Sequence, residues 1–511
     1  MREEIYRKAG EKKREARLHF PATGPIFENH SIRSANGMTT QTAPTTPGIP
    51  EEFERTPVSA PSLKGIKSFV GMYAGEHVAG TEFMIGPLFL AAGVSAFDLL
   101  VGLLVGNLLA VLSWTLVCAP VATGVRLTLY AKLEKICGTR LVLLYNVANG
   151  FLFCFLAGAM VSVSATAVGL PFDMPMPALT DWLPTSGAWV AIVVAIGALF
   201  AFVAARGYDA MARVANISVP WMVFVFLACG FIGLSQLGVT SIGDFFAVAG
   251  ERIWKGGDPF PGQTKFTFLH VVFFAWFCNA AMHLGMADLS IFRYARKPSY
   301  GIASAAGMFV GHYLAWISAS ILYALQLMRD PANTTVAPGP LAYNAVGITG
   351  LVCVVLAGWT TANPTIYRAG LAFQSILPSR SRVAGTLLAG ALATAGAIFP
   401  AFVMKLLDFV GLYGTILMPM GAVVAADYFL LPRLGLRSDD AEHSGTRFSI
   451  AAGASWLVAL VFALTLNLAA GIQIYFLALP AWIAAGTLFL VLSYVVQKKL
   501  RPRAAPVPEP A

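Results

Sequence analysis

The chain has 511 residues, of which 57% are hydrophobic and only 12% charged. Soluble domains average about a quarter charged, so a soluble globular protein is excluded. The net charge of +9 is not one basic face of the kind nucleic acid needs. It is dealt into alternate loops between apolar stretches, which excludes a nucleic-acid partner. Most of the six cysteines, Cys118, Cys137, Cys154, Cys229, Cys278 and Cys353, lie inside those stretches without a Cys-x-x-Cys pair. They read as small buried hydrophobes, not as disulfides or a zinc site.

Residues 1–65 are polar and rich in Pro, Thr and Glu, without a secretory signal, and read as a disordered cytoplasmic N-terminal tail. Met38 offers a second plausible start, and the basic arm before it could lie on anionic lipid. Twelve apolar stretches then follow: Phe69–Gly93, Ala96–Cys118, Arg140–Val168, Gly187–Ala204, Val214–Leu237, Phe266–Ser290, Tyr300–Met328, Leu341–Leu371, Arg382–Phe402, Leu406–Leu431, Phe448–Ala470 and Ile474–Val496. A helix needs about 20 such residues to cross hydrocarbon. The stretches lack period-two alternation, so a β-barrel is excluded and an all-α, polytopic membrane protein is predicted.

Basic residues gather in every other loop: Arg126 to Arg140, Arg206 and Arg213, Arg293 to Lys297, Arg380 and Arg382, Arg433 to Arg447, and Lys498 to Arg503. The intervening loops hold few. This positive-inside bias places both termini in the cytoplasm of a multi-pass protein of the plasma (inner) membrane.

Two stretches carry helix-breaking signals. The first holds Gly71, Gly75, Gly80 and Gly86–Pro87; the sixth holds Asn279, His283 and Gly285 before Asp288. Breaks at corresponding positions of two halves point to a midplane site in secondary transporters. A broken helix frees carbonyls for a cation and half-helix ends for polar groups of a solute. Gly alone is also common where membrane helices pack closely.

Four further segments stand in order along the chain: Gly106-Asn-Leu-Leu109; Asp288-Leu-Ser-Ile-Phe-Arg-Tyr-Ala-Arg296; Ala357-Gly-Trp-Thr-Thr-Ala-Asn363 running to Gly370; and Gly411-Leu-Tyr-Gly414 with Ala426-Asp-Tyr-Phe-Leu430. Together, over about Ile66 to Val496, they resemble the nucleobase:cation symporter family of cytosine, purine, hydantoin and allantoin permeases. The resemblance implies 12 transmembrane helices in a five-plus-five inverted repeat with broken helices 1 and 6 plus two extra helices. Its divisions would be 66–237 for the first repeat, 238–265 for an extracellular loop and 266–431 for the second repeat. Residues 432–497 would hold the two extra helices and 498–511 a cytoplasmic tail. It implies cation-driven uptake of a nucleobase-like or related heterocyclic solute by alternating access.

The resemblance also implies site residues. A sodium site would join Ala357, Thr360 and Thr361 of span eight to span one carbonyls near Ala79, within Val78 to Thr81. On their own merits the two threonines could equally bond back to carbonyls one turn earlier. The solute would sit near Gly80, between Phe151 and Phe155 of span three and Trp276, Phe277 and Asn279 of span six, with Asn363 adding an amide. Phe155 and Ile366 stand where hydantoin-type members carry edge-reading amides, so fewer hydrogen-bonding edges are expected of the ligand.

Glu82 departs from the family pattern. An acid inside a membrane helix is costly and marks function by default. It could read a cationic substrate, carry a coupling proton, pair with His77, or sit in an aqueous vestibule. His283 is the histidine nearest the expected site, and Asp288, Arg293 and Asp427 read as structural anchors at helix ends.

No enzyme is expected: there is no His-Glu-x-x-His, nucleophile or phosphate-binding Gly-Lys motif. No cofactor is expected beyond Na+ or H+ as coupling ion, and the two stay open, the threonines favouring sodium and Glu82 and His283 the proton. The expected partners are a small-molecule substrate, the coupling cation and membrane lipid, with the protein a monomer. The alternative is a proton-coupled importer of a small cationic or vitamin-like solute; a transporter-fold sensor ranks below both.

Overall fold

The computed structural model describes residues 52–377 and 379–500, and among them only helices, turns and two isolated β-bridges occur. Eight helices are long and apolar enough to cross a membrane: Ala96–Val125, Thr139–Phe172, Gly187–Ala205, Tyr208–Gln236, Pro298–Arg329, Phe409–Leu430, Ile450–Ala470 and Ile474–Lys499. They fall on the second to fifth, seventh and tenth to twelfth expected spans. The other four expected spans also hold helix. The first is Ile66–His77 and Glu82–Ala91; the sixth is Phe268–Phe277, Ala280–His283 and Leu289–Phe292; the eighth is Ile348–Ile376; the ninth is Arg382–Ala397.

Serine side chains start several of them. Ser95, Ser186, Ser381 and Ser449 each accept a hydrogen bond from the amide three residues on, which satisfies one of the open donors of a helix N-terminus. The eighth expected span, Leu341–Leu371, needs correction. Gly347 takes a φ of +64°, a conformation open chiefly to glycine, and divides the stretch into a separate helix, Pro338–Val346, and the span proper.

The two breaks are backbone features. After His77 the chain leaves helical geometry at Val78 (φ −89°, ψ 61°) and re-enters it at Glu82. In the sixth span Asn279 (φ −116°, ψ 13°) interrupts the helix, and Met286 holds a φ of +63°, which is rare outside glycine. The third and eighth spans pack along one another beside these breaks. A Cβ on Gly358 would lie 2.9 Å from the Met160 carbonyl, and one on Gly80 would lie 3.2 Å from the Val354 carbonyl. Only glycine lets the broken first span and the third span come this close to the eighth.

The expectation of a disordered tail through residue 65 is corrected for its last part; residues 1–51 lie outside the described residues. Glu52 accepts the Tyr208 amide at 2.6 Å and faces Arg382 at 3.2 Å. Arg293 donates to the Phe53 carbonyl, Tyr294 to the Glu52 carbonyl and Thr128 to the Glu54 carbonyl. Val58 is buried. The segment thus fastens the basic ends of spans five, six and nine to the helix Leu129–Cys137. Composition marks such a stretch as loose because its partners are buried polar groups supplied by distant spans.

At the same end Lys132 bridges Asp427 at 2.9 Å and Asp439 at 2.6 Å. Burial opposes its charge, but the two carboxylates outweigh burial and raise its pKa, so it stays ionised.

One ion cluster lies deeper. The fully buried Arg368 of span eight donates two bonds to Glu76 of span one, at 2.5 and 3.2 Å, and a third to Asp288 of span six. The other oxygen of Asp288 accepts from Tyr73 at 2.9 Å and from the indole N–H of Trp114. Asp288 is therefore not a helix-end anchor at the interface. It is a core ligand of Arg368, and Arg293 bonds instead to main-chain carbonyls and the tyrosines 294 and 367. Removing one partner of a buried ion cluster costs about 3–5 kcal/mol because the rest is left unpaired. Arg368→Ala should therefore unfold in detergent at a clearly lower temperature than wild type. Arg368→Lys, which keeps the charge but not the two-pronged fork, should fall between them. Unfolding of Arg368→Ala at the wild-type temperature would contradict the role given to the cluster.

Candidate substrate and ion site between the broken helices

A cavity of about 80 Å³ lies between the two breaks. Glu76, His77, Ala79, Thr81 and Glu82 bring the first span to it, and Cys278, Asn279 and Met282 the sixth. Leu156 and Met160 of span three, His312 and Trp316 of span seven, Thr361 and Thr365 of span eight, and Val410 and Tyr413 of span ten complete its wall. The space exists because both neighbouring helices stop there.

A chain of polar groups crosses one side of the cavity. His77 Nδ1 is 2.7 Å from the Tyr73 carbonyl, and its Nε2 is 3.1 Å from Asn279 Oδ1. Asn279 Nδ2 is 3.4 Å from His312 Nδ1. His312 Nε2 lies 3.8 Å from Glu82 Oε1, and the indole N–H of Trp316 donates to Glu82 Oε2. The His312 ring stacks on Trp316 at 4.2 Å with 16° between planes.

On the opposite side hydroxyls of span eight meet the end of the first half-helix. Thr361 Oγ1 is 2.8 Å from the Glu76 carbonyl and 2.9 Å from the Ala357 carbonyl. Thr360 Oγ1 is 3.1 Å from the Leu356 carbonyl and 3.3 Å from that of Ala357. The three span eight residues expected at an ion site are thus together. The span one carbonyl that Thr361 bonds is that of Glu76, just before the break; Ala79 lines the same cavity, and its carbonyl accepts the Glu82 amide at 3.1 Å.

The expected substrate residues divide. Glu82 and Asn279 line the cavity. Gly80 does not; it packs against Val163 and Val354. Phe151 is 56% exposed on the outer flank of span three, edge-on to Phe373. Phe155 stacks on Phe409 with centroids 3.6 Å apart. The cavity residues of span three are Leu156 and Met160; Leu156 is one position past Phe155 and so about 100° round the helix. Trp276 donates its N–H to Ser113 at 3.1 Å, and Phe277 packs on Gly414. The break at Asn279 separates them from the face that an unbroken helix would have shared. With its amide oriented to satisfy its neighbours, Asn363 donates to the Phe200 carbonyl and accepts from Trp359, both toward span four. His283 is buried between Trp114 and Trp276 and bonds the Trp276 carbonyl at 3.2 Å, off the cavity wall. Sequence reasoning passed over Arg368, Trp316 and Tyr413. The signal for Arg368 was legible as a charge in mid-span, whereas nothing local marks Trp316 or Tyr413.

Neither the family models nor the curated proteins compared with this chain include a match. Solved structures do match. The nucleobase-cation-symport-1 family transporter Mhp1, closed with bromovinylhydantoin bound, superposes with a TM-score of 0.68 at 15% identity, over 88% of this chain and 97% of Mhp1. Mhp1 in its inward-facing conformation matches with a TM-score of 0.63 at 16% identity, over 87% and 95%. A substrate-bound, outward-open Na+-coupled sialic acid symporter matches with a TM-score of 0.59 at 14% identity, over 84% and 89%. All three are transporters, and this chain has their fold, with the first and sixth helices broken.

Proposed function

We propose that the protein is a cation-coupled secondary transporter that imports a small, nucleobase-like or related heterocyclic solute by alternating access. The observation that carries the reading is the meeting of Thr361 with the Glu76 carbonyl at the break, 2.8 Å apart and on the cavity wall. Hydroxyl and carbonyl oxygens are the ligands a hard cation takes. Sodium on the Glu76 and Ala357 carbonyls with the Thr360 and Thr361 hydroxyls would join spans one and eight, and the hydroxyls would turn their protons away from it. The adjacent cluster favours a cation too. Two carboxylates, Glu76 and Asp288, face one guanidinium, a formal charge of minus one in a water-poor core. Tyr413 and the His312 ring, itself stacked on Trp316, bring aromatic groups to the wall.

The alternative reading, proton coupling, draws on Glu82 and His312. Sodium dependence separates the two. Sodium should raise the unfolding temperature of the purified protein, as any ligand of the folded state does. Thr361→Ala should need about tenfold more sodium for the same shift, a loss of about 1.4 kcal/mol. Wild type indifferent to sodium at fixed pH would reject the sodium site.

The basic end, which carries the ordered segment from residue 52, is proposed to face the cytoplasm of the cell's inner membrane. The native cysteines are buried or half-buried, so single introduced cysteines report cleanly. Asp181→Cys should react with an impermeant thiol reagent on intact cells and Lys297→Cys only after permeabilisation. The reverse pattern would invert the topology.

A further inference from the structure

Glu82 is 3% exposed and lies in the cavity wall at the first residue of the helix Glu82–Ala91. One oxygen takes the Trp316 indole N–H, and the other faces His312 Nε2 at 3.8 Å. Cys278 stands beside it in the same wall. Among the described residues no lysine or arginine forms an ion pair with it; the one guanidinium on this side of the core, Arg368, is held by Glu76 and Asp288. The half-helix N-terminus supplies roughly half a positive charge, enough to favour a carboxylate but not to neutralise it.

The charges around the cavity give a count. With the three carboxyl groups of Glu76, Glu82 and Asp288 ionised, His77 and His312 neutral and Arg368 positive, the formal charges sum to minus two. A sodium ion at Thr361 would remove one. Buried charge without a partner is expensive, and the remaining charge sits on Glu82, across the cavity from that ion.

We infer that the substrate is a small organic cation, with a protonated amino or amidinium group on a compact, mostly flat frame, and that its positive end sits on Glu82. This rests on the transporter reading above. The rest of the wall suits such a ligand. The ring of Tyr413 attracts cations, and Met160 and Met282 offer polarisable sulfur. An amidinium can meet both carboxylate oxygens at once, since each accepts more than one bond. A cavity of about 80 Å³ favours a compact ligand.

The test uses the purified full chain at fixed sodium and pH, with thermal unfolding as readout. The probes are guanidinium, 4-aminopyridinium and benzamidinium, each against a neutral counterpart: urea, hydantoin and benzamide. At least one cation should stabilise the wild type at about tenfold lower concentration than its counterpart. Glu82→Gln should weaken that cation about tenfold or more while leaving the sodium shift in place. Should Glu82→Gln not fold, Glu82→Asp carries the comparison: it should keep the preference for cations at reduced affinity. Four results overturn the inference, the first three of which are read directly from the melting curves. Those three are stabilisation by the neutral rings equal to or better than the cations, cation affinity unchanged in Glu82→Gln, and no stabilisation by any cation up to about 10 mM. Neutral-ring binding accompanied by proton uptake would put the second charge on a proton and also overturn it. Loss of the sodium shift in wild type would instead reject the sodium reading, and leaves the cation comparison standing on its own.

Discussion

Arg368 is the constraint on which the core depends. Its guanidinium reaches from span eight to Glu76 on span one and to Asp288 on span six. Those two spans are the broken ones, so neither is held in place by a continuous helix. A guanidinium fork fixes direction as well as charge. Tyr73 and Trp114 complete Asp288, so the cluster also reaches span two. Its position one turn below the breaks means that the half-helices are pinned on the basic side and open on the cavity side. The cavity is where that pinning ends.

Glu76 gives the arrangement its logic. Its carboxylate belongs to the ion cluster, and its carbonyl receives Thr361. Any change at the carbonyl is therefore felt by Arg368 through one residue. In the proposed sodium site the cation would tie the carbonyl to span eight in the same direction as the side-chain pair already does. Two attachments of one residue to one helix hold orientation where either alone would allow rotation.

How much of this was legible in the sequence follows from which interactions are local. Helix positions follow from apolar length, and the ordered serine caps and loop charges mark their ends; both are readable from a few neighbours. The breaks announced themselves through Gly80 and Asn279, residues that tolerate non-helical backbone. Thr360 and Thr361 kept their places because the eighth span is one unbroken helix there, so spacing fixes which face each side chain takes. Span three shows the limit. Phe155 and Leu156 differ by one position, and one position is about 100° of rotation, which decides between an outer aromatic stack and the cavity wall. Trp276 and Phe277 show another. Periodicity holds only to the end of a helix, and theirs ends at Phe277. The order of residues 52–64 was illegible because the groups that fix it, from Arg126 and Thr128 to Arg382, lie far along the chain.

The basic end and the level of the cavity are held by different physics. At the basic end the contacts are polar: Glu52 on Arg382 and Tyr208, Arg293 on the Phe53 carbonyl, Lys132 between Asp427 and Asp439. Beside the cavity they are aromatic: Phe155, next in sequence to the wall residue Leu156, stacks on Phe409 and is edge-on to Phe402. An aromatic stack slides apart at a cost of about 0.5–1.5 kcal/mol per pair beyond the area it exposes. Buried ion pairs cannot be parted so gradually, because each partner must find water or a new counter-charge as it leaves. Held this way, the aromatic contacts are the readier ones to shift, and the ion pairs of the basic end move only together with their counter-charges.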